Sequence, residues 1–332
     1  MSLLRALCLA LCALFAMSTS ATAQNFTVSA IGAADFGNIV AAPSGVSTFR
    51  ASAATGAVTK LSGNAVRLST GSVRSLVTVA CGNQNACNSA NASVTVTVTG
   101  SPTGRATALQ NFTVSVAGAT ATITQTPGTG SAITFRIGPV GRNSSRTFWI
   151  GYDLPINGNN SAAATGNASA NMVVTISRTN GGRANSRTGT VTARVFRGIA
   201  VMRGANLGFG RIVLPRSGNG TVTLDPVTET VSVSGNGTAA LGSPAPSAAS
   251  FAVSGEGGQS VSITVPSTFI MTGSSGSLTV TTNPTLSGVQ TLSGALGGAG
   301  SLAFDVGGSF PVTASTPSQV YTGTFSVTVA YN

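Results

Sequence analysis

Asp225 and Glu229, four residues apart, form the closest acidic pair in the chain. Two carboxylates are the minimal equipment for glycoside cleavage, one protonating the leaving oxygen while the other attacks or activates water. The segment Leu224-Asp225-Pro226-Val227-Thr228-Glu229 reads instead as a turn between strands, with both acids in solvent. The other acids are Asp35, Asp153, Glu256 and Asp305. Asp153 precedes Asn157, Gly158, Asn159 and Asn160, whose oxygens suit calcium, but one carboxylate is few for such a cage and an Asn-rich loop is the preferred reading. The absence of histidine removes Ser-His-Asp triads, Cys-His nucleophile pairs and His-ligated zinc. Lys60, the only lysine, follows no Ser-x-x-Lys motif, and the Gly-rich run from Gly294 to Gly300 lacks the Lys and Ser/Thr of a phosphate loop. These residues give no catalytic, cofactor or metal site. A glycan-acting enzyme using Asp225 and Glu229 is the most distant alternative.

Cysteine and arginine carry more information. Cys81 and Cys87 are separated only by Gly-Asn-Gln-Asn-Ala, which in an exported protein reads as one disulfide pinning a short loop. Its stabilisation should be local, about 2–3 kcal/mol at most. Residues 24–198 hold thirteen Lys and Arg against Asp35 and Asp153, whereas residues 199–332 hold three Arg against four acids. Arg142, Arg146, Arg178, Arg183, Arg187, Arg194 and Arg197 crowd the latter part of the first stretch. Such a cluster suits an acidic polysaccharide or another anionic surface; the plainer alternative is a solvated face. Nucleic acid is disfavoured, because one Trp and three Tyr leave few stacking platforms.

The elements that must position these residues are strands in an exported chain. Arg5 follows the N-terminal Met, Ala6 to Met17 is apolar, and Ala21-Thr22-Ala23 gives a small-x-small cleavage signature. Residues 1–23 therefore read as a secretory signal peptide, too short in its apolar run to span a membrane. Lipid attachment at Cys12 is disfavoured by Leu11, where a small residue is needed. No later segment is long and apolar enough to span, so the expected location is secreted or cell-surface. Only 7% of residues are charged, yet Val, Ile and Phe recur against Thr and Ser. Ser93–Val98, Phe112–Val116, Val261–Val265 and Phe325–Val329 alternate with period two, placing apolar side chains on one face. Asp225-Pro226, Asn236-Gly237, Gly257-Gly258, Asn283-Pro284 and Gly307-Gly308 read as the turns between strands.

An internal duplication organises the chain. Phe36-Gly37-Asn38-Ile39-Val40 recurs as Phe209-Gly210-Arg211-Ile212-Val213, an offset of 173, and Thr188-Gly189-Thr190-Val191 recurs as Thr322-Gly323-Thr324-Phe325, an offset of 134. Leu154-Pro155 matches Phe310-Pro311 and divides the 39-residue excess of the first copy into about 17 upstream and 22 downstream. The expectation is an all-β chain of two tandem immunoglobulin-like or pilin-like β-sandwich domains, 24–198 and 199–332, the first basic and enlarged.

Leu207-Gly208-Phe209-Gly210-Arg211-Ile212, Gly220–Pro226 and Tyr321–Asn332 resemble a DUF-type family of secreted Gram-negative β domains. The closing segment is also similar to the last strand of spore coat protein U-type domains and chaperone–usher fimbrial subunits, which end in alternating apolar residues with a penultimate tyrosine. That resemblance implies a fimbrial-type subunit or adhesin. Phe325, Val327, Val329 and Tyr331 would form a strand recognised by a periplasmic chaperone, then by an usher and sister subunits through strand addition. One departure is plain: Phe26 and Val28 align inside the repeat, leaving Gln24 and Asn25 as the arm before the first strand. The second function class is a binding module for acidic surface glycans through the Arg cluster.

Overall fold

The computed structural model describes residues 26–179, 182–235, 239–241 and 243–332; the leader expected at 1–23 and the Asn236-Gly237 turn lie outside them. Thirteen strands precede Arg197. They are β1 (Phe26–Ile31), β2 (Ala34–Val40), β3 (Val46–Ala51), β4 (Val58–Ser62), β5 (Val66–Arg67), β6 (Ser75–Cys81), β7 (Ala92–Thr103), β8 (Gln110–Ser115), β9 (Ile123–Gln125), β10 (Ala132–Ile137), β11 (Ser144–Asn157), β12 (Gly166–Arg178) and β13 (Asn185–Phe196). Twelve follow it. They are β14 (Ala200–Ala205), β15 (Arg211–Val213), β16 (Asn219–Leu224), β17 (Val231–Val233), β18 (Ala239–Leu241), β19 (Ala249–Glu256), β20 (Ser260–Thr264), β21 (Thr268–Gly273), β22 (Gly276–Pro284), β23 (Gly288–Thr291), β24 (Ala299–Thr313) and β25 (Thr328–Tyr331). The only helical turn among the described residues is a 3-10 turn at Asn85–Asn88. No helix among them is long and apolar enough to cross a membrane.

The first half is a complete sandwich. One sheet runs β1-β6-β11-β3-β4 with β8 also on β11, and the facing sheet runs β5-β2-β13-β12-β7-β10-β9. Its edge is closed in immunoglobulin fashion, with β2 leaving the first sheet's side to pair in parallel with β13. Period-two alternation supplies the filling: Val94, Val96, Phe135, Phe148, Ile150, Met172, Val174, Ile176, Val191 and Val195 are buried in one continuous core.

The second half repeats the order of the first sheet. β14-β19-β24-β16-β17 matches β1-β6-β11-β3-β4, and β22 takes the place of β8 on β24. Register agrees residue by residue: Leu154 and Pro155 stand opposite Phe49 and Thr48, and Phe310 and Pro311 stand opposite Val222 and Thr221. The facing layer differs. It consists of β23-β20-β25 and the separate pair β15-β18. The core splits accordingly into two smaller clusters, one around Phe209, Val222, Val280 and Phe310 and another around Val253, Val261, Ile263 and Phe304.

Two turn assignments need correction. Gly307-Gly308 lies inside β24, and Asn283-Pro284 ends β22 rather than separating strands. A Cβ on Gly307 would stand 2.4 Å from the Leu224 carbonyl oxygen, and one on Gly308 2.8 Å from that of Thr281. Glycine is required here because β24 runs between two neighbours, not because the chain turns. Asp153 is also no loop residue: it sits in β11, fully buried, with Arg50 Nε at 2.8 Å and Asn111 Nδ2 at 2.8 Å. That pairing holds the Arg50 guanidinium above its ordinary range, chiefly through the hydrogen bond.

Candidate functional site

The closing segment enters the second half at Thr322, whose backbone exchanges hydrogen bonds with Thr272 of β21 (2.8 and 3.0 Å). Gly323 follows because a Cβ there would lie 2.4 Å from the Ile270 carbonyl oxygen. Phe325 then places its ring 5.1 Å from Phe269 and 6.3 Å from Phe251, and Val327 and Val329 pack on the same cluster. The alternation expected over Phe325–Val329 is present, but the ladder is shorter than that pattern implies. Only Thr328–Tyr331 pairs with β20, antiparallel, and Gly323–Val327 join no ladder among the described residues.

Topology shows what is different. In the first half β7 is covered by β12, β12 by β13, and β13 by β2. In the second half β20 is covered by β25, antiparallel, so the closing segment takes the position of β12 although its sequence matches β13. Nothing among the described residues takes the position of β13. Ile39 faces Val195 across a parallel ladder, whereas Ile212, its counterpart, pairs among the described residues with Ala240 alone. The 22-residue excess of the first half is thus a strand and its turn. Burial follows: Met172, Val174 and Ile176 of β12 are fully buried, while Phe325, Val327, Val329 and Tyr331 are only half-buried.

Tyr331 does more than line a groove. Its hydroxyl accepts the Glu256 N–H at 2.6 Å and donates to the Arg197 carbonyl oxygen at 2.8 Å, and its ring lies 5.5 Å from Phe196. Burial, the largest cause, raises its phenol above the ordinary value. Gly255 makes room, since a Cβ there would meet the Tyr331 hydroxyl at 2.6 Å. Glu256 is fully buried and accepts from Thr165 Oγ1 at 3.1 Å, from the Arg197 N–H at 3.2 Å and from the Gly297 N–H. Arg197 Nε stands 3.6 Å from the same carboxylate, an ion pair without a hydrogen bond. Arg105, buried and bonded to Asn159, is lowered from its ordinary value by desolvation first and Arg197 second, with Glu256 opposing. Sequence reasoning missed Glu256, Thr165 and Arg105 as a set. Their partners lie 91 residues or so apart, and only the rarity of acids marked Glu256.

The other expected residues fall in two places. Cys81 and Cys87 are bonded, with Cα atoms 6.4 Å apart. Arg142, Arg146, Arg178, Arg183 and Arg187 gather at the end of the first sandwich that carries this disulfide loop, since Cys81 pairs with Ser144 and Ala92 with Arg178. Arg194 and Arg197 lie at the opposite end of β13, toward Glu256. Asp225 is a turn residue whose Oδ1 accepts the Val227 and Thr228 N–H groups, and Glu229 accepts from the Ala248 N–H. No group of three or more metal-ligating side chains occurs among the described residues.

Residues 199–331 match the family described as a domain of unknown function, DUF4402. No curated protein matches the chain. Among solved structures it is similar to a chain of the chaperone–tip adhesin complex of CFA/I fimbriae, at 11% identity and a TM-score of 0.24 over 92% of this chain and 98% of the other. It is also similar to a chain of the CsuC–CsuE chaperone–tip adhesion subunit complex of Acinetobacter baumannii, at 12% identity and a TM-score of 0.26 over 90% and 99%. A third is a mutant of the enterotoxigenic E. coli adhesin CfaE, at 12% identity and a TM-score of 0.24 over 91% and 92%. The fold assignment rests on the sheets themselves.

Proposed function

We propose that the chain is an exported, non-enzymatic structural or adhesive subunit of a fimbrial-type surface assembly, built of two related sandwich domains, 24–198 and 199–332. The first is self-complete and the second accepts a strand from another polypeptide. A periplasmic chaperone would supply that strand during export and a sister subunit afterwards. The observation that supports this reading is that no strand among the described residues takes the place of β13 in the second half, which leaves β25 and β15 each with an edge unpaired among those residues. An unpaired edge beside half-buried apolar side chains is the physical template for strand addition.

The first half specifies what the added strand should look like. β13 presents Val191, Ala193 and Val195 inward, antiparallel to β12 and parallel to β2. A synthetic peptide copying Ser186–Phe196, added to the whole chain, should therefore raise the midpoint of the second half's thermal unfolding, by roughly 5–10 °C at about a hundredfold excess over its dissociation constant. The same peptide with aspartate at the positions of Val191 and Val195 should have no effect. Equal effects of the two peptides, or none from either, would refute strand acceptance.

A further inference from the structure

The basic character of the first half is concentrated in space more than in sequence. Three stretches meet at one end of its sandwich: residues 82–91 after β6, 138–143 after β10, and the described residues that end β12 and open β13, 178–179 and 182–187. The registers fix this, because Cys81 pairs with Ser144, Ala92 with both Ile137 and Arg178, and Ile176 with Asn185. Six arginines belong to this end: Arg136, Arg142, Arg146, Arg178, Arg183 and Arg187. Neither acid of the first half is there. Asp153 is paired with Arg50 toward the far end of β11, and Asp35 stands opposite Thr192 and accepts the Gly37 N–H.

These arginines are not paired off internally. Arg142 donates to Asn83 and Asn85, while its backbone N–H goes to Asn88 at 2.9 Å, so the disulfide loop holds it in place without neutralising it. Arg146 donates to a neighbouring carbonyl, and Arg187 to that of Ser29. Arg178 has a buried Nε with no hydrogen-bond partner among the described residues. Arg178 Nε is thus a buried charged donor without a partner among those residues, which an oxyanion would satisfy, while the exposed Arg136, Arg142, Arg183 and Arg187 add positive charge beside it.

We infer that this loop end of the first sandwich is a binding surface for an acidic polysaccharide. The chemistry around the arginines selects that class. Asn83, Asn85, Asn88 and Asn143 supply amides suited to sugar hydroxyls. Among the described residues, no exposed large apolar side chain falls in 82–91, 136–146, 178–179 or 182–187, so none of them offers an apolar anchor to a bilayer. The single tryptophan lies in β11 under the Arg74 guanidinium, 3.7 Å away, and is not offered for base stacking. Loops gathered at one end of a rigid sandwich are also where such folds place their recognition residues. This goes beyond strand acceptance, which concerns the other half and stands or falls separately by the peptide test.

The experiment is retention of the whole mature chain on immobilised heparin, used as a sulfated polysaccharide. Wild type should stay bound at about 0.15 M salt and elute above it. The exposed arginines Arg136, Arg142, Arg183 and Arg187, all replaced by Ala, should give a variant that elutes below that salt with unchanged Trp149 emission. A control with Arg194, Arg203, Arg211 and Arg216 replaced by Ala loses the same charge and should elute with wild type. Equal displacement of both variants would mean net charge alone and overturn the site. So would preference for phosphatidylglycerol vesicles or single-stranded DNA over heparin at equal salt, or no retention of wild type.

Discussion

At the scale of single residues, Tyr331 ties the closing strand to the point where the two halves meet. Replacing it by Phe keeps the ring on Phe196 and removes only the hydroxyl, leaving the Glu256 N–H and the Arg197 carbonyl without a partner. The expected cost is about 1–3 kcal/mol, read as a lower unfolding midpoint. The pH dependence has a definite sign. Burial raises this phenol above its ordinary value, so the folded state holds the proton more tightly than the unfolded chain. Its contribution is complete below the ordinary tyrosine value, about 10, and is lost as pH climbs through the raised one. The gap between wild type and Tyr331→Phe should be constant from neutral pH to about 9 and narrow above about 10. A gap that widens in alkali would contradict the assignment.

At the scale of elements, two glycines at equivalent places show what the sheets demand. Gly151 of β11 and Gly307 of β24 lie where a long strand passes between neighbours on both edges. A Cβ on Gly151 would stand 2.4 Å from the Ala51 carbonyl oxygen, and one on Gly307 2.4 Å from that of Leu224. Both Gly151→Ala and Gly307→Ala should destabilise by about 1–3 kcal/mol, the cost of overpacking. Only Gly151→Ala should shift the unfolding seen by Trp149; a shift from Gly307→Ala of equal size in that signal would show the halves to be one cooperative unit.

The same elements show how far the sequence could be read. Val94, Val96, Val261 and Ile263 betray their strands because large β-branched side chains alternate with Thr and Ser. β12 is harder: its first turns of sequence are Gly166-Asn167-Ala168-Ser169-Ala170-Asn171, a loop-like composition, yet Ala168 and Ala170 are buried. Small residues carry little hydrophobic signal even when they fill the core. The closing segment illustrates a second limit. β12 and β13 face one core with the same period, so a short match to β13 cannot reveal that Thr328–Tyr331 stands where β12 stands. The junction of Glu256 with Arg197 and Tyr331 was invisible for a third reason, since no local pattern encodes a contact between distant halves.

At the scale of the whole molecule, the two halves differ in how completely they are closed, and stability should follow. The first buries one continuous core under a facing sheet in which β2 covers β13 and β5 covers β2. The second divides its apolar side chains between two clusters and leaves its closing strand half-buried. Fewer fully buried apolar groups mean a smaller hydrophobic contribution at roughly 25 cal/mol per Å² of area removed from water, while the backbone entropy lost per ordered residue is similar. Unfolding of the whole chain should therefore begin in residues 199–332. The single tryptophan makes the order observable, because Trp149 lies in β11 and reports on the first half alone, whereas far-ultraviolet circular dichroism reports on strands of both. On heating, the dichroism change should start while Trp149 emission still has its native value, and the second phase should coincide with the tryptophan transition. Coincident curves from the two probes would mean that Glu256, Arg197 and Tyr331 fuse the halves into one unit, and the open edge of the second would then not be its weak point.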